Sequence, residues 1–277
     1  MPEPPHFRRI LILWAALSIV ATPLVIFVFA PGLPPGNDSS QGAWQVTDNT
    51  VLLGIVTPVA ALLIVFFAYS LIAFRHRESD PGDEEGEAIY GNAGIQNTWL
   101  AVTTVIVLFL ATYGTVRLFD NGSGGGQGAD PVAKQEGNNL QVQVIAQQWA
   151  FTYRWPAYGG VETPHLVLPV NENIEMHVTS LDVIHSFWAH DLGIKADANP
   201  GVDNVVFLRP KKTTSFDIRC AELCGLFHGH MFDTGQIVSD SAFSSWIAAQ
   251  QRAFGPSTGK LPPYRTGYGP QPGRRAG

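Results

Sequence analysis

The chain has 277 residues, of which 45% are hydrophobic and 14% charged, and its formal net charge is −6. That length admits one or two domains, and 17 basic against 23 acidic residues leave no cationic surplus for nucleic acid, which is not expected as a partner. The apolar residues are concentrated in three uncharged runs ahead of a more mixed C-terminal part.

The first run, Ile10 to Ala30, follows Arg8 and Arg9. Its charged start and the small-residue ending Val28-Phe29-Ala30 are compatible with a secretory signal. Its length, and Pro31 directly after Ala30, favour a retained membrane anchor over residues 1–30. The second run, Val51 to Phe74, is uncharged over 24 positions. As a helix it would span about 36 Å, enough for a hydrocarbon core of about 30 Å. Pro58 within it is tolerable in a membrane helix. The third run, Trp99 to Val116, ends at Arg117, whose stem can snorkel toward the interface. Runs two and three predict a transmembrane hairpin over 51–119.

Lys and Arg in short loops orient the helices. The loop Pro31–Thr50 has neither, whereas Arg8 and Arg9 precede the first run and Arg75 and Arg77 follow the second. The N-terminus and the Arg75–Gln96 loop are therefore expected in the cytoplasm, and everything after the third run outside. The acidic cluster Asp83-Glu84-Glu85 with Glu87 reads as a solvated loop.

Residues 120–137 contain Asn121-Gly-Ser-Gly-Gly-Gly-Gln-Gly128, a flexible linker by composition. Beyond it the hydrophobic period becomes two, as in Leu140/Val142/Val144, Ile174/Met176/Val178 and Phe216/Ile218/Cys220. Short strands divided by Pro, Gly and Asn predict a small β-sandwich or Greek-key barrel over 138–253. A closing helix, capped by Asp240 or Ser241, would turn Phe243, Trp246 and Ile247 to one face. The Pro/Gly-rich tail 254–277 is expected to be extended or disordered.

The chemistry is concentrated in Cys220-Ala-Glu222-Leu-Cys224-Gly-Leu-Phe-His228-Gly-His-Met231, which holds both cysteines of the chain. His185 stands upstream in Asp182-Val-Ile-His-Ser-Phe-Trp188. The two cysteines alone would suit a disulfide in an oxidising compartment. A Cys2His2 zinc site is the next rival, but it has no use for Met231. Haem attachment needs Cys-x-x-Cys-His, which is absent. Thiols, imidazoles and a thioether together select copper.

The spacing Cys-x3-Cys-x3-His-x2-Met with a distant His closely resembles the dinuclear copper A loop of cytochrome c oxidase subunit II. The resemblance runs from about Val51 to Trp246, including Thr179-Ser180, Asp182 to Trp188 and Asp197-Ala-Asn-Pro-Gly201. It implies a membrane-anchored α+β chain: a two-helix hairpin plus one extra N-terminal helix, then an external cupredoxin-like barrel on the periplasmic side of a bacterial plasma membrane. It further implies that Cys220 and Cys224 bridge two coppers, that His185 and His228 bind one each, and that Met231 and the backbone carbonyl of Glu222 are the remaining ligands. The Glu222 carboxylate would reach a magnesium at the contact with subunit I. Trp149, in Gln148-Trp149-Ala-Phe151-Thr-Tyr153-Arg-Trp155, would accept the electron from cytochrome c, although the period of this aromatic segment also fits core packing. His190 and His230 read as surface or supporting residues, and His165 and His177 as structural ones in strands.

The function so implied is the electron-accepting subunit of a proton-pumping haem-copper oxidase, with subunit I, subunit III, cytochrome c and membrane lipid as partners. A quinol-oxidase subunit would lack these ligands. A copper A-bearing nitric oxide reductase subunit is chemically similar at this site. A tethered copper chaperone would need a more exchangeable set. Three features depart from the family pattern. Ala150 replaces its second aromatic, Val202 replaces the Arg after Pro-Gly, and Gln96 stands where a Glu often serves proton uptake; an amide does not titrate near neutral pH. Asp182, Asp191, Asp197 and Asp203, near the ligand loops, are expected to form an acidic patch that attracts a basic cytochrome.

Overall fold

The computed structural model describes residues 5–75, 90–122, 124, 128 and 130–255. The acidic cluster 83–87 and the tail from 256 onward lie outside the described residues. Two compact units are present: residues 1–33 with 47–116, and residues 34–46 with 117 onward.

The first unit is helical. Helix α1 (Pro5–Leu24) runs on through a π-helical turn, Val25–Phe29, into a 3-10 turn at Ala30–Gly32. Helices α2 (Ser40–Ala73) and α3 (Ala93–Asn121) follow, and all three are long and apolar enough to cross a membrane. Large side chains such as Ile19, Phe67, Leu71 and Leu108 are exposed, as suits helices that need lipid or partner helices around them. Several polar groups within this unit find partners. The Trp14 indole donates to the Pro58 carbonyl at 2.8 Å, Tyr69 Oη lies 2.8 Å from His6 Nδ1, and Tyr113 Oη donates to Asp48 at 2.8 Å. In an apolar setting each such group left alone would cost several kcal/mol, on the order of that for a buried unpaired amide.

The second unit is a sandwich of two five-stranded sheets. One sheet has the order β3 (Val161–Thr163), β2 (Ala150–Trp155), β1 (Leu140–Gln147), β5 (Ile174–Ser180), β8 (Asn204–Leu208). The other has β4 (Val167–Pro169), β10 (Phe232–Val238), β9 (Thr214–Cys220), β6 (His185–Ala189), β7 (Ile194–Ala198). The pairs β1–β5 and β4–β10 are parallel and the rest antiparallel. The period of two read from the sequence marks the inner faces. Val142, Val144, Met176, Val178, Phe216 and Ile218 are buried between the sheets, with Tyr153, Trp155 and Phe187.

Helix α4 (Asp240–Phe254) closes one side and buries Phe243 and Ile247. Its cap is Ser239, not Asp240 or Ser241: the Ser239 hydroxyl accepts from Ala242 N at 3.3 Å. Ser239 has extended backbone angles, so its hydroxyl reaches back over the first turn, whereas Asp240 is already helical.

Two further segments differ from expectation. Part of the glycine-rich stretch is stitched to β8 instead of being a free linker. Gly124 bridges Val206, its carbonyl accepts from Ala133 N at 2.9 Å, and Gly128 N donates to Asn204 at 2.8 Å. A Cβ on Gly124, at φ +108°, would sit 2.6 Å from the Val205 carbonyl oxygen, so this glycine serves close approach.

The second segment is 34–46, expected as a plain loop ahead of a helix starting at Val51. Helix α2 instead starts at Ser40, and the segment is built into the sandwich. Ser40 N donates to Arg209 O, Arg209 N to the Gln41 side chain, and Lys211 N to Asp38 O, all within 2.8–2.9 Å. Ser39 is fully buried; its hydroxyl donates to Leu192 O at 2.6 Å and accepts from Gly42 N at 2.9 Å. Gln45 Nε2 donates to Gly193 O at 2.5 Å. Two glycine contacts make this possible. A Cβ on Gly36 would lie 2.3 Å from Asp191 Cα, and one on Gly193 would lie 2.5 Å from Gly42 Cα.

Candidate metal centre

Strand β9 delivers Cys220 at its end, and β10 begins directly after Met231, so the segment 221–231 is the loop joining two paired strands. Its base is closed by Cys220 N donating to Met231 O at 3.0 Å. Strand β6 lies beside β9, with Phe187 opposite Cys220, and places His185 at its first position. Ala221 N donates to Ser186 O at 2.9 Å, tying the start of the loop to the His185 strand. The ligand loop is thus held at both strands, and the distant His arrives from their neighbour.

These elements bring the six expected groups together. Cys220 Sγ and Cys224 Sγ are 3.7 Å apart. His185 Nδ1 lies 3.8 Å from Cys220 Sγ, and His228 Nδ1 lies 3.5 Å from Cys224 Sγ. Met231 Sδ is 3.8 Å from Cys224 Sγ, and the Glu222 carbonyl oxygen is 3.2 Å from Cys220 Sγ. His185, Cys220 and Cys224 offer ligand atoms that all lie within 4.8 Å of one another. The cysteines, His185 and Met231 are buried. Both cysteines are free thiols.

The electrostatics suit a cation. Burial works against the Cys220 thiolate, but hydrogen bonds from His185 and the Ser186 backbone outweigh it and hold this thiol below the usual range. Burial pushes the Cys224 thiol up, and a charged Cys220 beside it pushes further. A metal that accepts both thiolates removes this conflict. His185 Nε2 is 2.9 Å from Asp182 Oδ1, so the carboxylate fixes Nδ1 as the nitrogen turned to Cys220. Burial disfavours the Asp182 charge, yet Gln148 N, His185 and Val183 N donate to it and keep its carboxyl low.

The aromatic segment splits in two. Phe151, Tyr153 and Trp155 lie on the buried face of β2, so for these three the core-packing reading holds. Trp149 precedes them in the two-residue turn between β1 and β2, with Gln147 paired to Ala150. It packs at the margin of the core and against the ligand loop as well. Its indole donates to the Cys224 carbonyl at 3.2 Å and packs edge-on against Phe227 at 4.8 Å. Gln148 Nε2 donates to the same carbonyl at 2.8 Å.

Asp182 and Gln148 had no assigned part in the site. Their places three residues before His185 and directly before Trp149 were the available signals. His177 does lie in a strand, β5, between Asp203 (2.9 Å) and Glu175 (3.0 Å). His165 does not: it sits between β3 and β4, with Nδ1 2.8 Å from Asp233. His190 lies beyond the far end of β6 and His230 is exposed.

The expected acidic patch is not formed. Asp203 is buried against His177, Asp197 accepts from Ser186 Oγ at 2.8 Å, and Asp191 accepts from Asp217 N at 2.9 Å in the turn after β6. Asp182 and Asp197 lie at the His185 end, Asp182 tied to the donors named above and Asp197 opposite Ser186. Local pairing, set by the register of these strands, consumes the charges that sequence proximity had grouped.

A mixed sandwich of this kind, carried on apolar helices and closing a thiol, imidazole and thioether loop at one end, defines a membrane-anchored cupredoxin-like protein. The profile described as cytochrome c oxidase subunit II, periplasmic domain, matches residues 161–238. Cytochrome c oxidase subunit 2 of Thermostichus vulcanus is 25% identical, with 86% of this chain and 85% of that protein covered. The same subunit of Synechocystis is 28% identical over 74% of this chain and 70% of its own length. The periplasmic domain of subunit II of the cytochrome oxidase of Bradyrhizobium japonicum is 31% identical, with 43% of this chain and 98% of that domain covered, at a TM-score of 0.42. Residues 161–238 thus match the periplasmic domain of cytochrome c oxidase subunit II, and the full-length relatives similar to this chain are subunit II proteins.

Proposed function

We propose that this chain is the subunit of a respiratory cytochrome c oxidase that takes electrons from cytochrome c at a dinuclear copper A centre and hands them to haem in subunit I, for oxygen reduction coupled to proton pumping. The observation that carries the proposal is the donor set: two thiols 3.7 Å apart, each with its own imidazole nitrogen within 3.8 Å, plus one thioether and one carbonyl. That set fits two soft metal ions bridged by thiolates and fits a single tetrahedral zinc less well. Cys220 and Cys224 would bridge, His185 and His228 would each bind one metal, and Met231 and the Glu222 carbonyl would complete the set. When bound, the copper pair supplies a one-electron store shared between two metals.

The chain's own residues supply the rest. Strands β6 and β9 hold His185 and Cys220 in fixed register, which keeps the site's shape constant between states. Asp182 orients His185 and balances positive charge. Trp149 offers a route from the surface: its indole hydrogen bond ends on the carbonyl of Cys224, a ligand residue. Glu222 is exposed, so its carboxylate is free to serve a magnesium ion at a contact with subunit I. Gln96 lies in the first turn of α3 and carries no titratable group, so proton uptake would not use this position. The membrane would be a bacterial plasma membrane, with the sandwich on its periplasmic side, and subunit III and lipid as further neighbours.

The test is metal content and spectrum. The full chain in detergent, loaded with copper, should hold two coppers and show the mixed-valence signal of one electron shared by both. Cys220→Ser or Cys224→Ser should abolish that signal. A single copper per chain, or an unchanged signal in Cys224→Ser, would reject the dinuclear reading.

A further inference from the structure

Helices α1 and α2 run antiparallel: His6 lies against Tyr69 and Phe74, the Trp14 indole reaches the Pro58 carbonyl, and Ile26 faces Gly54. Between the two helices is an open groove of about 340 Å3, with Leu13 and Leu17 as one wall and Ile64, Val65, Tyr69 and Ile72 among the residues of the other. Apart from the Tyr69 hydroxyl, every side-chain group lining it is hydrocarbon. From Ile64 to Ala73 the groove follows α2 for about 13 Å of helix rise. That is close to the depth of one leaflet, half of a hydrocarbon core of about 30 Å.

The groove turns polar at one end. There Tyr69 Oη lies 2.8 Å from His6 Nδ1. Arg9 stands four residues before Leu13, and Leu13 four before Leu17, so the three share one stripe of α1 with Arg9 at its head. Arg8 is turned about 100° around the helix and heads a different stripe, with Ile12, outside the groove. Arg75 follows α2 at this same end. Arg8, Arg9 and Arg75 are exposed. Helix α1 contains no acidic residue, and the one in α2, Asp48, sits near the far end of that helix and bonds Tyr113. Among the described residues of these helices, no carboxylate at this end answers the three cations.

In a bilayer such a groove does not hold water, and left unfilled its lining would lose dispersion contacts. Its occupant must therefore be apolar for the depth of a leaflet and anionic above it. A helix of another subunit would meet the first condition and bring no anion to Arg9. A zwitterionic lipid would meet the first and set its own cation beside the arginine. An acyl chain beneath an anionic phosphate meets both, since guanidinium donors match phosphate oxygens in pairs.

We propose that the α1–α2 groove binds an anionic phospholipid, with one acyl chain along Leu13, Leu17, Ile64 and Ile72 and the phosphate at Arg9 beside the Tyr69–His6 pair. The bound lipid would fasten α1 to α2. This rests on the reading of α1 as a retained membrane helix and is independent of the copper centre.

The test uses the assembled oxidase in bilayers where either phosphatidylglycerol or phosphatidylcholine carries a photoactivatable diazirine midway along one acyl chain. After illumination, labelled residues of α1 and α2 are mapped by mass spectrometry. Phosphatidylglycerol should label Leu13, Leu17 and the Ile64–Ile72 segment about fivefold or more above phosphatidylcholine, the preference that one arginine supplies at an anionic membrane surface. Arg9→Gln should bring the two lipids to near parity. Arg8→Gln removes the same charge off the stripe and should leave most of the preference. Leu13→Trp, which fills the groove, should lower labelling of the α2 wall by phosphatidylglycerol. The idea is overturned if the two lipids label equally in the unmodified oxidase. It is overturned also if Arg8→Gln acts as strongly as Arg9→Gln, which would make the attraction a general one of the basic surface. Absence of label in the groove would assign it to a helix of another subunit. The intact mass of the chain, taken from the same sample, shows whether α1 is present, and a chain beginning near Pro31 would overturn the proposal outright. Copper content, measured separately, has no bearing on these outcomes, so a failed metal reading and a failed lipid site are told apart.

Discussion

Strand β6 has two ends, and they are held in opposite ways. At His185 the neighbouring groups are thiols, an imidazole and a carboxylate, whose chemistry is specific and whose positions a metal would share. Past Ala189 the turn His190–Gly193 is gripped by the segment 34–46 through backbone groups, one buried hydroxyl and two glycine contacts. One end carries function in reactive side chains. The other carries stability mainly in backbone fit. The two ends should therefore fail separately, which gives the comparison its tests.

The largest effect is expected at the functional end. Trp149→Leu should slow electron transfer from cytochrome c by orders of magnitude while leaving the copper spectrum intact, because in the proposed route the indole is the surface-side part and not a ligand. Loss of copper, or melting of the sandwich, would show instead that Trp149 is structural like its neighbours Phe151, Tyr153 and Trp155.

At the other end the effects should appear in stability alone. Gly193→Ala places a Cβ 2.5 Å from the Gly42 backbone at a φ of +63°, so the segment must shift. A loss of about 2–4 kcal/mol is expected in thermal or denaturant unfolding of the full chain, with the copper spectrum unchanged in the folded protein. Ser39→Ala removes a buried hydroxyl that both donates and accepts, and leaves the Leu192 carbonyl and Gly42 N–H without it. The expected cost is about 1–3 kcal/mol. If either substitution alters the copper signal of folded protein, the two ends are coupled through β6 and the separation fails.

The smallest effect comes from His177, on the other sheet. Burial alone would lower its pKa, but Asp203 and then Glu175 overcome that and raise it above the ordinary value. A raised folded-state pKa stabilises fully below the unfolded value of about 6.5, and that contribution disappears as pH rises through the folded value. Unfolding of the second unit should thus occur more readily as pH climbs past about 6.5, and His177→Gln should flatten that slope. A slope unchanged in His177→Gln would assign the dependence to other groups.

Much of the site was legible before the fold. Cys220, Cys224, His228 and Met231 lie within one loop, so their chemistry and spacing are visible along the chain, and the period of Phe216, Ile218 and Cys220 already placed Cys220 at a strand end. The strands and apolar helices were legible for the same reason, since a period of two and long uncharged runs are local properties. The aromatic segment was half legible. Its period put Phe151, Tyr153 and Trp155 on one face, but whether Trp149 shared their fate depended on where β1 turned into β2.

What sequence alone determined about this protein is its chemistry and its local periodicity: three apolar helices, a β-rich external part, and a thiol, imidazole and thioether set suited to soft metal ions. Tertiary structure decided which partner each group meets. It buried Asp203 against His177, tied Asp197 to Ser186, and joined Asp182 to His185 and Gln148 to Cys224. It also drew residues 34–46 into the sandwich and Gly124 onto β8, where a composition-based reading saw only loop and linker. The physical reason is that glycine and backbone amides carry no side-chain signature. Their use in a turn, a close approach or a free linker is settled only by what the rest of the chain brings within 3 Å of them.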